Sequence, residues 1–410
     1  MSVHRVLTGL DAVRADLEEF YRDLHRHPEL GLREHRTAAK VAQALREDGY
    51  DVTEGIGGTG VTAVLANGPG PVVMARADMD ALPVREQTGL PYASTVTDGD
   101  QPVMHACGHD VHVTALTGCA RLLARARESW QGTFVALFQP SEENGDGADA
   151  MIDDGLTGRV PTPDVVLAQH VLPYPAGYVG IRAGPFLSAA DSLEVTVHGR
   201  GAHGSNPESA VDPVVMAAMI VVRLQTVVAR ELAATTPAVL TVGSIHAGSG
   251  PNIIPDRAVI QLNVRTYDDV TRAHVLEAID RIVRAECAAS GARQAPVIRR
   301  IASFPPTVND EEPTRRVAAA FADHFGETHT IDLQTASEDM SLIPQAFGAP
   351  FTYWGFGGTD PAEYAEADKR GTLAHDIPVN HNPRFAPVIQ PTLDTGVTAM
   401  AVAALAWLAA

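Results

Sequence analysis

The stretch from Leu193 to Ile301 switches between period-two and helical spacing in an order that few architectures accept. Leu193, Val195 and Val197 alternate as in a half-buried strand, and Val211 to Leu232 reads as a long apolar helix. Two strands follow at Ala238–Ile245 and Ala258–Thr266. Val275, Ile279, Ile282 and Val283 then mark one face of a helix over Val270–Ala288, and Pro296–Ile301 closes the series as a strand. The order β-α-β-β-α-β is that of a split, ferredoxin-like α+β unit of about 115 residues.

On either side the pattern is different. Helical spacing over Leu10–Leu24 and Thr37–Asp48 is followed by strand-like runs at Val61–Ala66 and Val72–Ala77, with Asn67-Gly68-Pro69-Gly70 as a turn between them. A helix over Val111–Arg127 and buried strands at Phe134–Phe138 and Val165–Ala168 come next. After the ferredoxin-like segment the spacing predicts a helix at Pro313–Phe325, a strand at Phe351–Tyr353 and a closing helix at Val388–Leu408. Alternating helices and strands specify a layered α/β domain. A chain of 410 residues accommodates two domains. The expected organisation is therefore a discontinuous α/β domain of residues 1–186 and 303–410, with residues 187–302 inserted as an α+β domain. Asp78, Asp80, Glu142, Glu143 and His170 all fall just past expected strand ends. That edge of an open α/β sheet is where ligands gather.

Charge excludes one class of function. With 31 basic against 50 acidic residues the formal net charge is −19, the opposite of a nucleic-acid footprint. Three cysteines (Cys107, Cys119 and Cys287) are too few for a disulfide framework. Cys119 and Cys287 lie on expected helices as core residues. Met1 to Asp23 is charged throughout, without the apolar stretch of a signal peptide. The apolar run Val214 to Val222 is far short of the ~20 residues of a membrane span. The expected compartment is the cytoplasm, with no membrane partner.

Met104-His105-Ala106-Cys107-Gly108-His109-Asp110 and Ser141-Glu142-Glu143-Asn144 carry the chemistry. Cys107 and His109 are two apart and share a face in an extended segment; sulfur and imidazole suit zinc and similar divalent ions. Of two adjacent glutamates, one can bind metal while the other polarises water. His170 follows an apolar strand, and His381 lies in Asn380-His381-Asn382-Pro383. Cys107, His109, Glu143, His170 and His381 together make five ligands, one more than a closed structural zinc site takes. That number suits two ions about 3.5–4 Å apart that share a water, as in many hydrolases. His112 is expected to face the interior of its helix or solvent. No Gly-x-Ser-x-Gly elbow is present, which disfavours a serine hydrolase.

These motifs resemble the zinc-dependent amidohydrolases, aminoacylases and carboxypeptidases of peptidase family M20. The similarity is greatest to the branch with hippurate hydrolase, N-acyl-amino-acid amidohydrolases and plant auxin-conjugate hydrolases. It extends over nearly the whole chain: Leu24 to Leu30, Arg76 to Pro83, Met104 to Asp110, Gln139 to Glu143, Gly201-Ala202-His203, Asn252 to Pro255, Ser337-Glu338-Asp339 and the His381 segment.

The resemblance implies a mixed-sheet zinc-hydrolase catalytic domain whose inserted ferredoxin-like domain serves as lid and dimerisation unit. It implies two divalent ions per subunit, zinc or else manganese, cobalt or nickel. Their ligands are Cys107, His109, Glu143, His170 and His381. Glu142 matches the general base and Asp80 the acidic residue of the strand-end motif. Where the wider family has a metal-binding histidine two positions before that acid, this chain has Asp78, which is not counted as a ligand. His203 matches a lid histidine that, in dimeric members, reaches the partner's site and stabilises the oxyanion. Asn252 and Arg265 match substrate-contacting lid residues, Arg265 as the grip on a carboxylate. The implied substrate is a small N-acyl amino acid, and the implied assembly a homodimer through the lid, with tetramers among relatives. An exopeptidase on the same scaffold is the nearer alternative. A non-catalytic metal-binding assembly protein is the remote one, and it would not need Glu142. Asn144 and Asn382 depart from the Gly and Ser usual in the branch; both neighbour ligands and bear on local loop geometry.

Overall fold

The computed structural model describes residues 2–326 and 328–409. They form two compact units: Met1–Gly184 with Asn309–Asp332 and Asp339–Ala410, and Pro185–Val308 with Leu333–Glu338. Residues 1, 327 and 410 of the span expected for the α/β domain lie outside the described residues. The short return of Leu333–Glu338 to the second unit has no signal in the sequence. It is held by Gln334 N–H donating to Phe186 O at 2.9 Å and Ser188 N–H donating to Ala336 O at 2.9 Å.

In chain order the strands of the two larger sheets are β1 (Asp51–Ile56), β2 (Gly60–Asn67), β3 (Val72–Asp78), β4 (Gly132–Gln139), β5 (Val165–Pro175) and β6 (Val179–Ile181). Then come β7 (Ala189–His198), β8 (Ala238–Ala247), β9 (Arg257–Thr266) and β10 (Val297–Phe304) of the second unit, and finally β11 (His329–Thr330) and β12 (Phe351–Thr359). The sheet of the first unit runs β1-β2-β4-β3-β5-β12-β6-β11. Its centre, β4-β3-β5-β12, is parallel, while β1 and β2 run antiparallel to their neighbours and β6 runs antiparallel to β12 but parallel to β11. β3 and β4 are buried along almost their whole length, as parallel strands covered on both faces are. The Asn67–Gly70 turn does not make a hairpin, because β4 enters between β2 and β3.

One expectation is corrected here. β5 does not stop before His170 but runs through it to Pro175. Its pairing with β3 ends at Arg76↔Ala168, while its pairing with β12 continues through Gly355↔His170 to Thr359↔Pro175. Pro173 and Pro175 read as breakers in the sequence. Backbone N–H groups alternate sides along a strand, so both prolines turn their missing donors to the edge that β3 has left, as Val171 does its N–H. Likewise Asp78 closes β3 rather than following it, and only Asp80 lies beyond.

The second unit is a four-stranded antiparallel sheet in the order β8-β9-β7-β10. With helices Pro213–Thr226 and Asp269–Ala289 it has the ferredoxin-like β-α-β-β-α-β connection. Both helices start on an aspartate cap: Val214 N–H donates to Asp212 at 2.8 Å and Thr271 N–H to Asp268 at 2.7 Å. Leu193, Val195 and Val197 pack with Met216, Ile220, Leu224, Ile279 and Val283. The opposite side of Pro213–Thr226 is apolar as well, with Val215 58% and Val222 65% exposed. The segments Pro213–Glu231 and Ile389–Leu408 are long and apolar enough to cross a membrane. Ile389–Leu408 is a core helix of the first unit, buried from Thr392 through Leu405 except at Asp394.

Candidate metal centre

The candidate ligands come from four segments: the start of helix His109–Arg125, the turn after β4, the middle of β5 and the turn at His381. Gly108 precedes the helix His109–Arg125 in the left-handed region, φ 83°. A side chain there would meet Val171 Cγ1 at 2.3 Å, so only glycine lets Cys107 and His109 approach β5 this closely. After β4, Ser141 is also left-handed (φ 48°), as is His381 (φ 71°); with Leu32 they are the non-glycine residues of positive φ among the described residues. Such conformations persist where neighbours enforce them, and they concentrate at functional sites.

The Glu142–Glu143 turn is held from several sides. Ser141 N–H donates to Glu34 Oε1 at 2.8 Å, and Glu34, pushed up to about 7 chiefly by burial, also accepts from the Thr59 hydroxyl. Glu143 N–H donates to Asp80 Oδ2 at 3.0 Å, and Gly145 N–H to Glu142 O at 2.8 Å. Asn144 donates to Ser141 Oγ at 2.9 Å and packs on Gly31, where a Cβ would come within 2.5 Å of its amide. This chain thus answers the departure at Asn144 with a glycine opposite. At Asn382 the side chain caps its own loop, accepting Arg384 N–H at 2.9 Å.

Cys107, His109, Glu143, His170 and His381 converge as two overlapping sets whose ligand atoms lie within 4.8 Å of one another: Cys107, His109 and His170, and Cys107, Glu143 and His381. Cys107 Sγ is 3.5 Å from His170 Nε2, and His381 Nε2 is 3.3 Å from Glu143 Oε1. His109 Nε2 lies 3.9 Å from both Glu142 Oε2 and Glu143 Oε1. His109 Nε2 and Glu143 Oε1 are buried without a hydrogen-bond partner, as atoms reserved for an ion would be. Burial would lower His109, but Asp78, Cys107 and Asp80 outweigh it and lift it well above its ordinary value. Cys107 and Glu143 likewise raise His381 to about 10. Burial holds His170 well below its ordinary value, so its imidazole is neutral. The raised histidines report the negative potential of Asp78, Asp80, Cys107 and Glu143 around them, a potential that also favours a divalent cation. The donor set of one sulfur, three imidazoles and one carboxylate fits a zinc-like ion.

Around these groups lies a layer of buried and half-buried supports. Asp80 Oδ1 accepts His109 Nδ1–H at 3.2 Å. Asp78 is bonded to Arg76 at 2.7 Å and to His112 at 2.5 Å. Burial alone would raise Asp78, yet His109, His112 and Arg76 hold it well below the usual carboxylate range. Asn380 donates to the carbonyls of Cys107 and Val171, both at 3.2 Å. His25 is buried between Asp110 at 2.6 Å and Glu86 at 3.2 Å. Sequence spacing carried no sign of the roles of Glu34, His112 or Asn380. The left-handed backbone at Ser141 and His381 left none either, since neither is glycine.

His203, Asn252 and Arg265 belong to the second unit. His203 pairs with Ile253 in a two-residue ladder, Gly204 N–H donates to Asn252 O at 2.7 Å, and His203 and Asn252 line one cleft of about 900 Å³. The exposed His203 ring contacts Ser205 Oγ at 2.7 Å. Arg265 is not among the residues lining that cleft; it donates to Asn263 Oδ1 at 2.9 Å and Ser337 Oγ at 2.6 Å. None of its hydrogen bonds pairs it with a carboxylate.

Residues 74–374 match the sequence pattern of peptidase family M20/M25/M40. The chain is 38% identical over 317 residues to a hippurate hydrolase of Campylobacter jejuni, covering 77% of this chain and 80% of that one. It is 35% identical over 390 residues to thermostable carboxypeptidase 1 of Saccharolobus solfataricus, covering 94% and 93%. Among solved structures it is similar to a dinuclear metal-binding peptidase of family M20 from Bacillus subtilis, with a TM-score of 0.78, 29% identity, and 96% of this chain and 98% of that one covered.

Proposed function

Because the chain belongs to peptidase family M20/M25/M40, we propose that it is a metal-dependent amidohydrolase that splits N-acyl amino acids, hippurate-like or N-acetyl, into a carboxylic acid and a free amino acid. The observation that carries this reading is Glu142. Its carboxylate stands 3.9 Å from the unpartnered Nε2 of His109 and within 4.8 Å of the ligand atoms of His109 and Glu143, while Cys107, His109, Glu143, His170 and His381 form their two overlapping sets without it. A carboxylate spare to the ligands is what a hydrolytic centre requires and a structural one lacks.

Cys107, His109, Glu143, His170 and His381 would hold two divalent ions, with zinc the first candidate and manganese, cobalt or nickel suited to similar donors. Bound ions lower the pKa of a water and polarise the scissile carbonyl. Glu142 takes a proton from the attacking water and returns it to the leaving nitrogen, so that amine rather than amide anion departs. Asp80 keeps the Nδ1 proton of His109 in place and leaves Nε2 as the donor atom. His203 stabilises the oxyanion, as the resemblance implies. Asn252 and Arg265 contact substrate, and the planar fork of Arg265 suits an α-carboxylate. Residues 187–302 act as lid and dimerisation domain. The exposed apolar side of helix Pro213–Thr226, with Val215 and Val222, supports a homodimer, a tetramer being the larger alternative. The site of action is the cytoplasm, and the acidic surface speaks against nucleic-acid partners.

The long match to a carboxypeptidase favours exopeptidase action as the second reading. A panel of N-acetyl, N-benzoyl and indole-acyl amino acids beside dipeptides separates the two, using protein of known metal content before and after chelation. Chelator-sensitive release from the acyl amino acids with inert dipeptides is the expected result. Cleavage of dipeptides alone would transfer the protein to the peptidase reading.

A further inference from the structure

Asp78, His109 and His112 present ligand-type atoms within 4.8 Å of one another and look like a third metal cradle. The ring of His112 argues otherwise. Val171 N–H donates to its Nε2 at 2.8 Å, so the proton must sit on Nδ1, which donates to Asp78 Oδ1 at 2.5 Å. Neither nitrogen has a lone pair left for an ion. Resting on the metal-dependent reading above, we propose that His112 is a positioning residue: excluded from ligation, it fixes the orientation of His170 through the backbone of Val171.

The need for it comes from the sheet. Past Ala168, β5 has lost β3 as a neighbour, and the Val171 N–H faces the vacated edge in the protein interior, where an unpaired donor is costly. His112 takes the place of the missing strand. Its orientation is set by Asp78, which Arg76 holds at 2.7 Å while Arg76 itself donates to Gln139 Oε1 at 2.9 Å. On its other side Val171 accepts from His170 Nδ1–H at 2.7 Å and from Asn380 at 3.2 Å through its carbonyl. With Nδ1 occupied in this way, His170 turns Nε2 toward Cys107 Sγ. The His112 and His170 rings also meet edge to face, with centroids 4.4 Å apart. A continuous chain of bonds thus runs from Arg76 through Asp78, His112 and Val171 to a candidate ligand. Supports of this kind tune metal affinity.

The test is Co²⁺ binding to metal-stripped protein without substrate, read by equilibrium dialysis and by visible absorption. In H112N the shorter amide can reach Asp78 but not Val171; in H112Q the longer one can accept the Val171 N–H. The expected result for H112N is the wild-type stoichiometry at saturation, affinity weaker by about ten- to hundredfold and an altered Co²⁺ spectrum. H112Q should bind close to the wild-type value. Wild-type affinity and spectrum in H112N would overturn the proposal, as would loss of a whole equivalent at saturating Co²⁺, which would make His112 a ligand. Should H112N fail to fold, H112Q decides: near-native affinity supports the role, and affinity as poor as that of H170A refutes it. Wild-type protein that binds Co²⁺ yet cleaves no acyl amino acid would sink the hydrolase reading and leave this one intact, while wild-type protein that binds no Co²⁺ would overturn both.

Discussion

Asp80 holds His109 by Nδ1 at 3.2 Å, and its second carboxylate oxygen accepts the Glu143 N–H at 3.0 Å. One buried carboxylate therefore sets the tautomer of one candidate ligand and the backbone of another. The Glu142–Glu143 turn is thereby fixed by Asp80 on one side and Glu34 on the other.

Asp80→Asn should weaken metal binding and turnover by about ten- to hundredfold, the usual cost of losing a support behind a metal-binding histidine. The amide can still accept one of the two bonds, so the fold should survive. Metal titration beside kcat measured at saturating metal checks this. A variant that binds metal normally and loses only kcat would shift Asp80 from ligand support to a direct part in the reaction.

Glu142→Gln should leave metal stoichiometry unchanged and lower kcat by at least about a hundredfold, the scale of a lost general base. The Gln side chain fills the same space, so folding gives no competing explanation. Metal analysis of the purified variant with steady-state kinetics tests it, and full activity would end the assignment of Glu142.

The candidate ligands Cys107, His109, Glu143, His170 and His381 are legible as donor types in short motifs, and the fold brings their side chains together. What stayed hidden depended on long-range pairing. Pro173 and Pro175 mask the second half of β5, since no local signal shows that their missing donors face an edge that β3 has left. Edge strand β1 alternates too little to stand out, having only Ile56 buried. His112 could not be separated from a surface histidine by helical position, because Asp78 and Val171 reach it from other elements. The positive φ of His381 is likewise invisible: its N–H donates to Ala106 O at 2.7 Å, a bond across hundreds of residues of sequence.

The buried His25 should make stability depend on pH. Burial would lower its pKa, but Asp110 and Glu86 raise it to about 9, against about 6.5 in an unfolded chain. A folded-state pKa raised in this way stabilises fully below about 6.5, and that contribution is lost as pH rises through about 9. Urea midpoints, measured at constant metal content, should fall across this window. His25→Gln should flatten the slope there while lowering stability at pH 6. Parallel slopes for the two proteins would show that the Asp110–His25–Glu86 group does not titrate as proposed.

Gly108→Ala combines two costs that can be separated. Its φ of 83° is left-handed, which costs an L-residue about 1–2 kcal/mol, and the new Cβ would stand 2.3 Å from Val171 Cγ1. The expected destabilisation is about 2 kcal/mol or more, together with weaker metal binding, because relief of the clash moves Cys107 and His109 away from His170. Adding Val171→Ala removes the steric part and leaves the backbone part. The double variant should therefore recover metal affinity more than it recovers Tm. Recovery of both in equal measure would mean that the left-handed backbone at Gly108 contributes little and that space alone dictates glycine between the two candidate ligands.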